Sequence, residues 1–153
     1  MQVFRSVCLA LVFLLIALRF AGWWQSHGPS SRYLIPSGYV GIIRIEYEIR
    51  GAPALTMEEG RYLMRLSFDG KMQTSSSLDE RGHAAEDFYY VSGAGRQRLP
   101  VKDDPFPVDT LPPPPMVRGG RVGSGTNMPV TEEWFIGTDK QFDDYVKKHP
   151  DYW

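Results

Sequence analysis

Tyr33-Leu-Ile-Pro-Ser-Gly-Tyr-Val-Gly-Ile-Ile-Arg-Ile-Glu-Tyr-Glu-Ile-Arg50 is the stretch that decides the fold class. After Gly41 it alternates strictly, with Ile43, Ile45, Tyr47 and Ile49 on one face and Arg44, Glu46, Glu48 and Arg50 on the other. A period of two, with β-branched and aromatic residues on one side, is the pattern of a half-buried strand in an antiparallel sheet. Pro36-Ser37-Gly38 reads as the turn that aims the chain into this strand, predicted over about Tyr39–Arg50. The outward charges mix both signs and read as a solvated sheet face, with cross-strand pairs to Arg61 and Arg65.

Outward from that strand, Gly51-Ala-Pro53 breaks the ladder. Tyr62, Met64, Leu66 and Phe68 then share one face of a second alternating strand. Asp69-Gly70 follows directly and predicts a tight hairpin into Lys71–Thr74, because both central residues of such a turn must accept positive φ. Ser75–Ala85 is polar and reads as a loop. Asp87–Val91 is aromatic and β-branched, and Ser92-Gly-Ala-Gly95 turns it into Arg96–Val101, a second hairpin. Lys102–Pro129 holds seven of the twelve prolines, including Pro112–Pro115, followed by the glycine-rich Arg118–Gly125. The prolines should stand as polyproline II and the glycines should flex, so residues 103–129 read as a flexible insert. Glu133–Ile136 is a short strand, and Thr138-x-x-Gln141 matches a capping box that opens a helix of about ten residues, ending before Pro150.

The N-terminus has a different character. A short basic start with Arg5 leads into Val7–Leu18, twelve apolar residues, and Phe20–Trp24 resumes the run after Arg19. This is the pattern of an export signal over residues 1–25, either cleaved or retained as an anchor. Eighteen residues to Trp24 would rise about 27 Å as a helix, enough to span with Arg19 at the interface. A polar linker over 26–32 and a tail over 149–153 complete the division, with a single β-rich domain at 33–148. Cys8 stands at the start of the apolar run, whereas a lipidated cysteine should follow it. Of the 17 basic residues, Arg5 and Arg19 lie in the leader, leaving 15 against all 18 acids in residues 29–153. A mildly acidic domain with scattered arginines argues against nucleic-acid binding.

The fold class that follows is mainly β. It is a small antiparallel sandwich or curled sheet of about six strands with one short C-terminal helix, preceded by an N-terminal hydrophobic helix; α+β is the alternative. Tyr33-Leu-Ile-Pro-x-Gly-Tyr-Val-Gly, Asp69-Gly70-Lys71-x-x-Thr74-Ser75, Phe88-Tyr89-Tyr90 and Trp134-Phe135-Ile136-Gly137-Thr138 resemble a bacterial domain family of unknown function. Its members are small exported or lipoprotein-like β-rich proteins. The resemblance implies an extracytoplasmic β-rich domain and carries no activity; the placement of Cys8 departs from its lipoprotein members.

No residue set marks a catalytic or cofactor site, and none is assigned. There is no Gly-x-Ser-x-Gly elbow, and Gly125 leads into Thr126-Asn-Met-Pro129 rather than the Gly-Lys-Ser/Thr of a phosphate loop. His83, with Glu86 and Asp87, is the remote candidate for a divalent metal or general-base site; a solvated loop explains it more simply. His27 and His149 read as incidental. The surface features with a binding mechanism are Pro112, Pro113, Pro114 and Pro115, a preformed polyproline segment, with Arg118 and Arg121 beside them. The expected function is a non-enzymatic envelope protein, exported or membrane-tethered, that docks a protein partner or self-assembles through the insert and a sheet edge. A small-ligand or metal-binding periplasmic module, using Phe88, Tyr89 and Tyr90 with the His83 loop, is the alternative.

Overall fold

A computed structural model describes residues 29–81, 86–102, 114–126 and 128–150. The leader at 1–25 and His83 lie outside the described residues, among which no helix is long and apolar enough to cross a membrane. Among the described residues nine strands make two sheets. The first sheet contains β1 (Ser31–Pro36), β3 (Thr56–Glu58), β4 (Arg61–Arg65), β6 (Glu86–Ser92) and β7 (Gly95–Leu99), in the order β3-β4-β1-β6-β7. The second contains β2 (Gly41–Glu46), β5 (Lys71–Gln73), β8 (Met116–Gly125) and β9 (Met128–Gly137), in the order β5-β2-β9-β8. Helix α1 (Asp139–Lys148) closes the chain.

Both sheets are mixed rather than antiparallel. Strand β1 runs parallel to β4 and to β6, and β2 runs parallel to β5. The strand predicted over about Tyr39–Arg50 is β2, and the residues before its turn form a further strand, β1, in the other sheet. Pro36, which has no N–H to give a ladder, ends β1; Gly38 at φ 80° and Tyr39 N–H to the Pro36 carbonyl (3.1 Å) turn the chain across. The residues predicted as a linker end inside β1, where Ser31 is buried. The alternation read from sequence nonetheless holds, since Ile43, Ile45 and Tyr47 are fully buried.

Asp69-Gly70 makes a turn but not the predicted hairpin. Gly70 sits at φ 77° and donates to the Ser67 carbonyl at 2.9 Å, yet β4 and β5 on its two sides belong to different sheets. The turn carries the chain from one layer to the other. The second predicted hairpin is present: β6 and β7 pair antiparallel from Phe88 opposite Leu99 to Ser92 opposite Gly95. The glycine-rich part of the supposed flexible insert is strand β8, pairing along β9 from Met116–Gly137 to Gly125–Met128. Backbone pairing to β9 orders a segment whose glycines offer no side-chain pattern.

The facing layers bury Tyr33, Ile35, Met64, Phe88, Tyr90 and Leu99 from the first sheet against Ile43, Ile45, Tyr47, Val117 and Ile136 from the second. Helix α1 covers the far side of the second sheet. Thr138 Oγ1 accepts from Gln141 N–H and Gln141 returns a bond to the Thr138 N–H, the predicted capping box. Phe142 and Tyr145 pack on Phe135 at ring separations of 5.2 and 5.5 Å.

Candidate functional site

The six residues predicted to bind a partner do not form one patch among the described residues. Pro112 and Pro113 lie outside them, and Pro114 and Pro115 lead, half-buried, into β8. Arg118 is only 5% exposed. It pairs with Asp139 in the first turn of α1 and lays its guanidinium 5.2 Å from the Phe142 ring centre. Arg121 is exposed, opposite Glu133 of β9. Between the two arginines the register slips. Arg118 faces Phe135 while Arg121 faces Glu133, so three steps along β8 span two along β9, a bulge at Gly119-Gly120. Glycine is required here: Gly119 has φ 50°, and a Cβ on Gly120 would lie 2.6 Å from Trp134 Cη2.

Strand β8 is an edge of its sheet. Val101 bridges to Val117, where Lys102 N–H donates to the Val117 carbonyl (3.0 Å) and Val117 N–H to the Pro100 carbonyl (2.8 Å). From Gly119 to Gly125 no strand pairs with the outer side of β8 among the described residues. Val122 and Met128 near its tip are 58% and 71% exposed.

The weaker metal candidates are placed differently from expectation. Asp87 is the second residue of β6 and is held by Arg61 and by Arg98 at 3.3 Å, so its carboxylate serves an arginine network. Phe88 and Tyr90 point into the core, while Tyr89 lies on the other face, beneath the Arg32 guanidinium at 5.9 Å. Among the described residues no group of His, Cys, Asp and Glu is gathered closely enough to hold a metal ion. The pairs expected between β2 and Arg61 or Arg65 are replaced by Arg44 with Glu133 (2.5 Å) and Glu46 with Gln73 (2.7 Å).

Two constellations were not found by sequence reasoning. The first is Glu132, 1% exposed in the core, accepting from Tyr33 Oη (2.9 Å), Tyr47 Oη (2.7 Å) and Trp134 Nε1 (3.0 Å). The signal was present: counting back from Ile136 by twos places Trp134, Glu132 and Val130 on the core face. The second is an arginine cluster on the far face of the first sheet, where the register lines up Arg32, Arg61, Arg65, Arg96 and Arg98. Glu58, from the β3 edge, accepts from Arg32 and from Arg96 of the opposite edge strand, both at 2.9 Å. That contact requires the sheet to coil until its opposite corners meet. The hydrogen bond from Arg96, then that from Arg32, holds the Glu58 carboxyl below the usual carboxylate range.

Comparison with known proteins bears on fold and family. The chain is similar to the crystal structure of a candidate lipoprotein from Bacillus anthracis, with a TM-score of 0.54 and 15% identity over 83% of this chain and 98% of that one. At that identity the likeness is one of fold. No curated protein matches at a significant level. A family model described as a family of unknown function matches residues 28–132, about two thirds of the 153 residues and all strands from β1 to β8. With that span matched, the chain belongs to the family of unknown function DUF6843.

Proposed function

We propose that this chain is a non-enzymatic envelope protein, exported or membrane-tethered, that captures an extended segment of a partner protein on the open edge of β8. The observation that carries the reading is the outer side of Gly119–Gly125, along which no strand pairs among the described residues. The glycines of this run leave backbone donors and acceptors unshielded, and the run carries no lysine or proline. Strand β8 carries two arginines and no acid, so pairing with a second β8 sets like charges together. An acidic foreign strand fits better than a second copy. The leader pattern at 1–25 supports export, as does a fold shared with a candidate lipoprotein.

A photo-crosslinking residue placed at Val122 in intact cells tests this directly, with Met57 of the opposite sheet as the control position. A heterologous adduct at Val122 that disappears with Arg121→Glu is the expected outcome. An adduct of twice the chain's own mass, or equal adducts at both positions, overturns edge capture of a foreign strand.

A further inference from the structure

The bulge that breaks the β8 register also opens a groove of about 400 Å³, within the range of small-ligand sites. Lys102, Arg118, Gly119, Gly120, Trp134 and Phe142 line it. From these residues we propose that the groove, at the bulged end of the β8 edge, binds a small carboxylate carried on a flat apolar body.

The cationic element is built in. Arg118 is buried to 5% exposure, and its Nε–H has no hydrogen-bond partner among the described residues. Burying a guanidinium donor without an acceptor costs free energy that the fold recovers only when an acceptor arrives. The ion pair to Asp139 ends on a carboxylate that is itself 62% exposed, a partner that an incoming anion can displace or join. Phe142 beneath the guanidinium fixes its plane, which favours forked recognition of a carboxylate over contact with a point charge. Lys102 adds a second positive group at the exposed rim.

The apolar element is equally specific. Gly119 and Gly120 present bare backbone, and the Trp134 ring lies where a Gly120 side chain would be. Trp134 Nε1 is committed to Glu132 in the core, so the indole is anchored from its far side and offers the groove only carbon. A flat hydrocarbon body against the Trp134 ring, with its carboxylate toward Arg118, uses both halves of the lining.

The test is titration of the full chain with benzoate and, separately, with inorganic phosphate, followed by tryptophan fluorescence and thermal unfolding. Benzoate is expected to give a saturable fluorescence change and a rise in Tm; Trp134→Phe removes the former. Arg118→Met is expected to abolish both. Asp139→Asn alters an exposed residue and releases Arg118 from its competitor, so it is expected to tighten benzoate several-fold. That gain also answers the objection that Arg118→Met merely unfolds the chain. The proposal is overturned by no response to benzoate, by a response that survives Arg118→Met, by an affinity unmoved in Asp139→Asn, or by phosphate binding as tightly as benzoate.

Discussion

The two sheets carry buried and exposed charge in opposite ways. The second places one carboxylate, Glu132, in the core and surrounds it with two phenols and an indole. The first keeps its five arginines on the face away from the core and shares a few acids among them, from Asp87 at 16% exposure to Glu59 at 76%. In the core each hydrogen bond operates in a low dielectric with no water to replace it, so the arrangement is stabilising and unforgiving. On the far face water reaches the pairs made by Glu59 and Arg98, and those contribute little to stability. The difference teaches that the number of ion pairs is a poor guide to where this fold is fragile.

Replacing Glu132 with Ala should do the greatest damage. It removes the acceptor shared by Tyr33, Tyr47 and Trp134, and roughly 2–4 kcal/mol of stability should disappear in urea unfolding. A loss below about 1 kcal/mol would put the two sheets on the same footing and end the contrast. Next in size, Gly120→Ala forces its Cβ against the Trp134 ring and should cost about 1–3 kcal/mol, visible both in the melt and in altered tryptophan emission. Thr138→Ala deletes the capping box of the helix that covers the second sheet; about 1 kcal/mol is expected, with loss of helical circular dichroism preceding global unfolding.

The smallest effect belongs to the first sheet, and it depends on pH. Because Arg96 and Arg32 lower the folded-state pKa of Glu58, its contribution is fully present above the unfolded glutamate value, about 4.3, and fades as pH falls through the lower folded value. Glu58→Gln should therefore leave Tm nearly unchanged near neutrality, and the gap to the parent chain should close further below about pH 4. A gap that widens on acidification would reverse the assignment of Glu58 as the corner clasp.

Local chemistry was legible in the sequence wherever one residue type forces one conformation. The turn at Pro36-Ser37-Gly38, the β6–β7 hairpin and the capping box at Thr138 occur as read, and Asp69-Gly70 turns the chain without making the hairpin. Pairing was not legible in the same way. Asp69-Gly70 reverses the chain but contains nothing that selects a partner, and burial of Met64 in one layer and Met72 against the other sends the flanking strands apart. Parallel pairing of β1 with β4 and β6 depends on residues more than 25 positions away and leaves no local trace. Strand β8 was missed because glycine writes no alternation, and its order comes from β9. Of the candidate site, Arg118 and Arg121 were visible as arginines amid glycine. The bulge that buries one and exposes the other was not, since a bulge is a mismatch between two strands and neither sequence alone contains it.

The central place of β1 sets the order of events during folding. It is the first strand in the chain, yet its neighbours, β4 and β6, are completed only at Arg65 and Ser92. A nascent chain shorter than 92 residues cannot give β1 both of its neighbours, and loop closure must precede any reward from these contacts. The domain should therefore stay threadable until late and then fold as a unit, so that a truncation before Ser92 yields an unfolded chain rather than a half-domain.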